Sequence, residues 1–242
     1  MYRNTFLSVM FLACCFNGSL CAQSDAQIYE RTCDAKTYPF SDPSPVATPN
    51  NSYYPYFRFD GFSMQAQEKQ WKMVVLENDY VKLTVTPEIG GKIWGAIDKV
   101  NNKEFVYTNG VVKFRDVAMR GPWTSGGIEF NFGIIGHAPT CSTPIDYLTK
   151  KNVDGSVSCH IFSYEWITRT VWNVEINLPK DKAYFTTHTT WFNQSSIDQP
   201  YYQWMNAGYA TKTGTRFYYP GTYSIGHSGD LHPYPIDEEG RD

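Results

Sequence analysis

Between Arg115 and Tyr147 the chain reads RDVAMRGPWTSGGIEFNFGIIGHAPTCSTPIDY, and most of its acid, base and hydroxyl-binding chemistry is gathered there. Glu129 and Asp146 are carboxylates, and His137 carries an imidazole that can donate to a hydroxyl or relay a proton. Arg120 can fork onto vicinal hydroxyls or a uronate carboxylate, and Trp123 offers a flat ring for stacking. The apolar neighbours Ile128 and Phe130 point Glu129 towards general-acid work; its rival role is an ion pair with Arg115 or Arg120. Asp146 is a candidate second carboxylate. A glycosidase pair needs a separation of about 5–5.5 Å for retention or about 6.5–9.5 Å for inversion, and a turn-capping Asp is the commoner outcome. The same choice between site and structure applies to His137, which could pin its loop, and to Trp123, which could pack in a core. His227, in Ile225-Gly226-His227, has a setting like that of His137. His160 and His188 fall within expected strands and read as structural.

The interleaved glycines and rings of this stretch follow neither a helical nor, over most of their length, a strand period. Glycines let backbone approach a ligand, and rings line concave sites, so the pattern suits a cleft better than a packing face. Other chemistries are absent from the sequence. No GxxxxGKS or GxGxxG precedes a helix, so no nucleotide cofactor is expected. There is no nucleophile elbow, no CxxC and no Cys/His spacing for zinc, so no metal is expected. A net charge of −3 without a long basic run excludes nucleic acid as a natural partner.

The elements that must hold this stretch are strands. Trp71–Leu76, Val81–Thr86, Lys92–Asp98 and Glu104–Tyr107, parted by turns at Asn78-Asp79, Gly90-Gly91 and Asn101–Lys103, form an antiparallel meander. Ser156–Tyr164, Thr170–Leu178 and Ala183–Phe192 resume it, with Thr170, Trp172, Val174, Ile176 and Leu178 on one face. Tyr201–Tyr209 and Arg216–Tyr219 are further expected strands. No window gives a convincing amphipathic helix, so the fold class is all-β, a sandwich or barrel. The 17% aromatic content favours the same class, because rings fit pleated surfaces.

Residues 1–22 read as a signal peptide: Arg3, the apolar run Phe6–Phe16, and Leu20-Cys21-Ala22 before Gln23. The run is too short to span a bilayer, and the expected location is periplasmic or extracellular. Leu12-Ala13-Cys14-Cys15 resembles a lipobox only poorly. Residues 23–52, rich in Pro and polar groups, read as a linker or strap, and 53–242 as the domain. Cys33, Cys141 and Cys159 would remain after cleavage, allowing one bridge and leaving one thiol. Ser228–Asp242 supplies no closing strand, so the chain reads as a fragment of a longer one.

Three segments carry a family resemblance: LENDYVKLTVTPEIGGKIWGA (Leu76–Ala96), MRGPWTSGGIEFNFGIIGH (Met119–His137) and STPIDY (Ser142–Tyr147). They resemble an uncharacterised family of exported bacterial proteins within the galactose-mutarotase-like superfamily. Trp191–Tyr209 and Tyr219–His227 fit the same pattern. The resemblance implies an antiparallel β-supersandwich, incomplete here at its C-terminus, that binds carbohydrate in a cleft on one face. It implies a domain continuing past Asp242 towards helical repeats. Mutarotases move a proton with a histidine acid and a glutamate base; Asn206 stands at the histidine position, and an amide cannot exchange a proton near neutral pH. Arg120 matches the sugar-binding arginine and His137 an earlier ligand-contacting histidine. The expected function is an exported carbohydrate-active protein, a glycoside-processing enzyme using Glu129, His137 and Asp146, with Arg120, Trp123, Asn206 and His227 on the sugar. The alternatives are a non-catalytic glycan-binding module and an interaction scaffold.

Overall fold

The computed structural model describes residues 24–47, 54–117, 121–133, 136–226 and 228–241. The expected signal peptide, Arg120 and His227 lie outside the described residues. The chain divides into two compact units, Met1–Tyr209 and Ala210–Asp242.

In chain order the strands are β1 (Gln27–Tyr38), β2 (Gln67–Glu77), β3 (Val81–Thr86), β4 (Lys92–Asp98), β5 (Lys103–Val106), β6 (Val112–Lys113), β7 (Arg115–Asp116) and β8 (Pro122–Trp123). There follow β9 (Ile128–Phe132), β10 (Asp146–Lys151), β11 (Val157–Glu165), β12 (Thr170–Leu178), β13 (Thr186–Asn193), β14 (Gln203–Ala207), β15 (Tyr223–Ile225) and β16 (Leu231–Pro233). Among the described residues there is no α-helix, so none is long and apolar enough to cross a membrane.

The first unit is a β-sandwich. An eight-stranded sheet runs β14-β9-β4-β3-β2-β1-β6, with β5 also on β4, and a four-stranded sheet runs β10-β11-β12-β13. The meander β2-β3-β4-β5 is antiparallel throughout, as the alternation of Val81, Leu83 and Val85 dictates. Those side chains join Leu76, Phe130 and Phe132 in one core with Trp172, Val174 and Ile176 of β12. Each fully buried aliphatic side chain there stabilises the fold by about 1.5–3 kcal/mol. Phe132 and Trp172 stack across the two sheets at 4.5 Å. Trp71, Met73 and Trp94 leave the large sheet on its other face and form a second cluster with Phe114. Because β2 is covered on both sides, its run Met73–Leu76 is buried without a break.

Two expectations about elements change. The segment expected as linker or strap contains β1, which pairs with β2 from Gln27↔Glu77 to Thr37↔Gln67. Its charged residues hid it: its side chains are largely exposed, and backbone pairing along its whole length does most to hold it, with Ile28, Cys33 and Ala35 packed only at the margins of the two clusters. Arg216–Tyr219 is not a strand; in the second unit the paired strands are β15 and β16. Pro220 follows Tyr219, removes a donor and ends that run. Cys33, Cys141 and Cys159 are all free thiols, so the one bridge that three cysteines allow is not formed among the described residues.

Candidate functional site

The site grows from β9. Its five residues are all buried, with Ile128, Phe130 and Phe132 in the inter-sheet core and Glu129 and Asn131 on the opposite face by the two-residue period. Gly127 starts the strand at φ +68°, and a Cβ there would overlap Ile93 O, so only glycine lets β9 lie against β4. Pairing of Ile93 with Ile128 sets Lys92 of β4 beside Glu129 on that face. On the other flank, Asn206 of β14 is the direct partner of Glu129, and Trp204 that of Asn131.

Beyond β9 the chain turns at Gly133 and returns at Gly136, both at positive φ. Asn131 pins the return by accepting from the Ala138 N–H at 2.8 Å, and its amide donates to Glu129 Oε1 at 2.9 Å. Trp204 Nε1 donates to Gly136 O at 3.1 Å. These bonds deliver His137, whose Nδ1 lies 2.6 Å from Glu129 Oε1. A carboxylate acceptor requires the proton on Nδ1, which leaves Nε2 to exchange one. Edge contacts hold the ring between Trp204 at 4.8 Å and Trp123 at 5.9 Å. His137 keeps 21% of its side chain exposed while Glu129 keeps 3%, so the imidazole, not the carboxylate, is the group that solvent or ligand can meet.

A buried cation completes the cluster. Lys92 is 1% exposed, and its Nζ donates to Thr124 O at 2.7 Å and to Thr124 Oγ1 at 3.1 Å. Burial pushes the ammonium pKa down, and the nearby Glu129 charge opposes that. Cys141 lies close enough to feel both charges; burial, then Glu129, drives its thiol pKa well up, so it is an inert thiol rather than a nucleophile. Two buried atoms of the cluster, Glu129 Oε2 and Trp123 Nε1, have no hydrogen-bond partner among the described residues. One accepts and the other donates, so a hydroxyl could serve either.

Of the expected residues, the structure unites Glu129, His137, Trp123 and Asn206. Asp146 is corrected: it opens β10 in the other sheet, exposed and paired with Phe162, because the strand period carries it to the outer face. Glu129 makes no ion pair with Arg115, which donates to Phe114 O and lies over the Phe62 ring, and the other expected partner, Arg120, lies outside the described residues. Lys92, Thr124, Asn131 and Trp204 were missed. Asn131 and Trp204 were legible, since each sits two residues from a chosen one on a strand. No signal marked Lys92 as buried. His160 lies on β11 against Asn173 and Glu175. Among the described residues no group of three or more His, Cys, Asp or Glu could hold a metal.

A separate cleft of about 380 Å³ is lined by Phe40, Phe57, Trp71 and Phe114 but by neither Glu129 nor His137. The Lys69 ammonium lies 3.7 Å over the Trp71 ring, and Trp71 Nε1 donates to Thr37, so this indole is occupied by its own chain. The buried carboxylate–imidazole pair therefore marks the candidate site, not this apolar cleft.

Fold and site together define a two-sheet β-sandwich carrying a buried carboxylate–imidazole pair at one face of its larger sheet. Residues 48–242 match the family described as a domain of unknown function, DUF5107, and the chain belongs to that family. A crystal structure of a TPR-domain containing protein from Parabacteroides distasonis is similar, with 27% identity and a TM-score of 0.69. The match covers 76% of this chain and 32% of that one, so the chain spans about a third of the length of its solved relative.

Proposed function

We propose that this domain binds carbohydrate at the Glu129–His137 face and that His137 exchanges a proton with the bound sugar. The observation that carries the reading is the 2.6 Å contact from His137 Nδ1 to Glu129 Oε1, with the ring held between two tryptophans. Glu129 then acts as a positioning residue that fixes the tautomer, and Trp123 and Asn206 border the sugar. The reading takes the β-sandwich as one of the galactose-mutarotase-like supersandwiches that the sequence resembles, and favours chemistry at the anomeric centre, with His137 Nε2 as acid or base. A two-carboxylate glycosidase is less well supported, since Asp146 is exposed on β10. The pattern of residues 1–22 supports export to the periplasm or beyond. The name of the solved relative supports a longer parent chain with helical repeats.

The test is a glycan-array screen and a polarimetric and glycoside-turnover assay on the full-length protein, beside His137→Gln. Bound sugar with turnover that His137→Gln abolishes supports the reading. A verified folded protein that binds no glycan overturns it and leaves the interaction scaffold. A second reading, glycan binding without chemistry, is favoured by Asn206, an amide directly opposite Glu129. It predicts glycan binding without turnover by wild type and His137→Gln alike.

A further inference from the structure

The turn between β11 and β12 presents an indole that the cluster around His137 does not use. Trp166 is 63% exposed and Tyr54 beside it 50%, and their ring centroids lie 5.9 Å apart. Tyr164 meets Trp166 edge-on at 5.0 Å. A tryptophan left in water at a loop tip is a poor use of apolar surface unless something covers it.

The turn is built to hold that ring still. Glu165, only 7% exposed, turns its carboxylate onto its own turn: Oε1 accepts from Ile167 N at 3.1 Å and Oε2 from Thr168 N and Oγ1. Thr168 Oγ1 is in turn 2.8 Å from Thr170 Oγ1. Arg169 takes a positive φ of 56°, a backbone state that costs a non-glycine residue free energy. A buried carboxylate and a strained residue thus fix a four-residue tip whose large exposed apolar side chain is Trp166. Pre-organisation of this kind lowers the entropy lost on binding.

The tip also stands next to the proposed site. Trp166 and Tyr54 line a cleft of about 260 Å³ with Ser163, Thr140, Ala138 and Pro139. Ala138 follows His137 directly and is the residue that Asn131 pins. At the other end of the same loop, a Cβ on Gly133 would meet Glu165 Cδ at 3.2 Å. Beyond the turn, a second cleft of about 610 Å³ is lined by Tyr164, Arg169, Gln194 and Gln199, all able to hydrogen-bond hydroxyls. Rings flanked by hydroxyls, amides and a guanidinium fit a sugar, which shows an apolar face and a polar rim, better than an apolar peptide.

We propose that Trp166, with Tyr54, is a stacking platform for a second sugar unit, so that the ligand is an oligosaccharide running from His137 across the β11–β12 turn. The inference rests on the carbohydrate reading above and narrows its ligand class from a single sugar to a chain.

The test is calorimetric titration of the full-length protein with xylo-, manno-, cello- and galacto-oligosaccharides, each as monosaccharide, disaccharide and hexasaccharide. Wild type should bind one series with affinity that rises with chain length. Trp166→Ala should cut affinity for the longer sugars about tenfold, the size of one lost aromatic contact, and leave the monosaccharide unchanged. Trp166→Phe should keep most of the gain, and Tyr54→Ala should lose part of it. Unchanged monosaccharide binding doubles as the check that each variant is folded. Affinity independent of length in wild type overturns the platform but leaves the carbohydrate reading standing. So does a Trp166→Ala protein that matches wild type on every sugar, which would hand the exposed rings to a protein partner. Silence towards all sugars overturns both readings together.

Discussion

His137 Nδ1 meets Glu129 Oε1 at 2.6 Å across a loop that places them eight residues apart. The contact depends on Asn131, which bonds both the carboxylate and the backbone just after the imidazole. In the proton exchange proposed at His137 Nε2, Glu129 would hold the opposite nitrogen. With an active full-length protein, His137→Gln should lower kcat by about 100-fold or more. Glu129→Gln should lower kcat less and leave KM near its wild-type value if the buried carboxylate acts through the imidazole it touches. Equal losses in kcat and KM for Glu129→Gln would mean that the carboxylate binds the sugar itself.

Lys92 and Glu129 form a second relationship, one of charge rather than contact. No ion-pair distance joins them, yet both are 1–2% exposed and the Glu129 charge favours the ammonium. Removing either charge leaves the other buried with less compensation. Lys92→Met and Glu129→Gln should each destabilise the fold, and the double variant should lose less than the sum. A coupling of about 1 kcal/mol from urea unfolding of the four proteins is expected. Strict additivity would show that Thr124 alone satisfies Lys92.

Phe132 ties the site to the core. It stacks on Trp172 at 4.5 Å while its neighbour Asn131 holds Glu129. Phe132→Ala should cost about 3–5 kcal/mol. Phe132→Leu should cost about 1–2 kcal/mol, because part of the volume is kept. If the stack also sets the position of β9, glycan affinity should fall in Phe132→Leu under conditions where it remains folded. Full affinity in a destabilised Phe132→Leu would confine its role to packing.

The sequence made the repeating strands legible and the buried polar cluster only partly so. In Thr170–Leu178 the two-residue period fixes which side chains are buried, and nothing else is needed to find the strand. The same period within Ile128–Phe132 marks Glu129 and Asn131 as sharing a face. β1 escaped because backbone pairing to β2, not apolar alternation, holds it in the sheet. Lys92 escaped because a lysine at the start of a strand is ordinarily solvated, and only the β4–β9 pairing buries it. Asp146 looked like a partner for Glu129 because the two are close in sequence. The change of sheet between β9 and β10 separates them, and no local pattern announces a change of sheet.

The buried thiols make a contribution of definite sign to the pH dependence of stability. Cys159, fully buried on β11, is held protonated by burial until about 12, against an ordinary 9.0. Between those values the unfolded chain binds fewer protons than the folded one, so stability falls as pH rises. Cys141 acts in the same direction, whereas Lys92, pushed below its ordinary 10.5, acts in the opposite one. At a pH near ~10 the Cys159 contribution amounts to about 1.4 kcal/mol. Cys159→Ala should therefore lower stability at neutral pH, through the small cavity it leaves, yet flatten the fall between pH ~8 and ~10. Urea unfolding across that range gives both values. Parallel curves for wild type and variant would mean that Cys159 ionises freely in the folded state, and its burial in the inter-sheet core would have to be incomplete in solution.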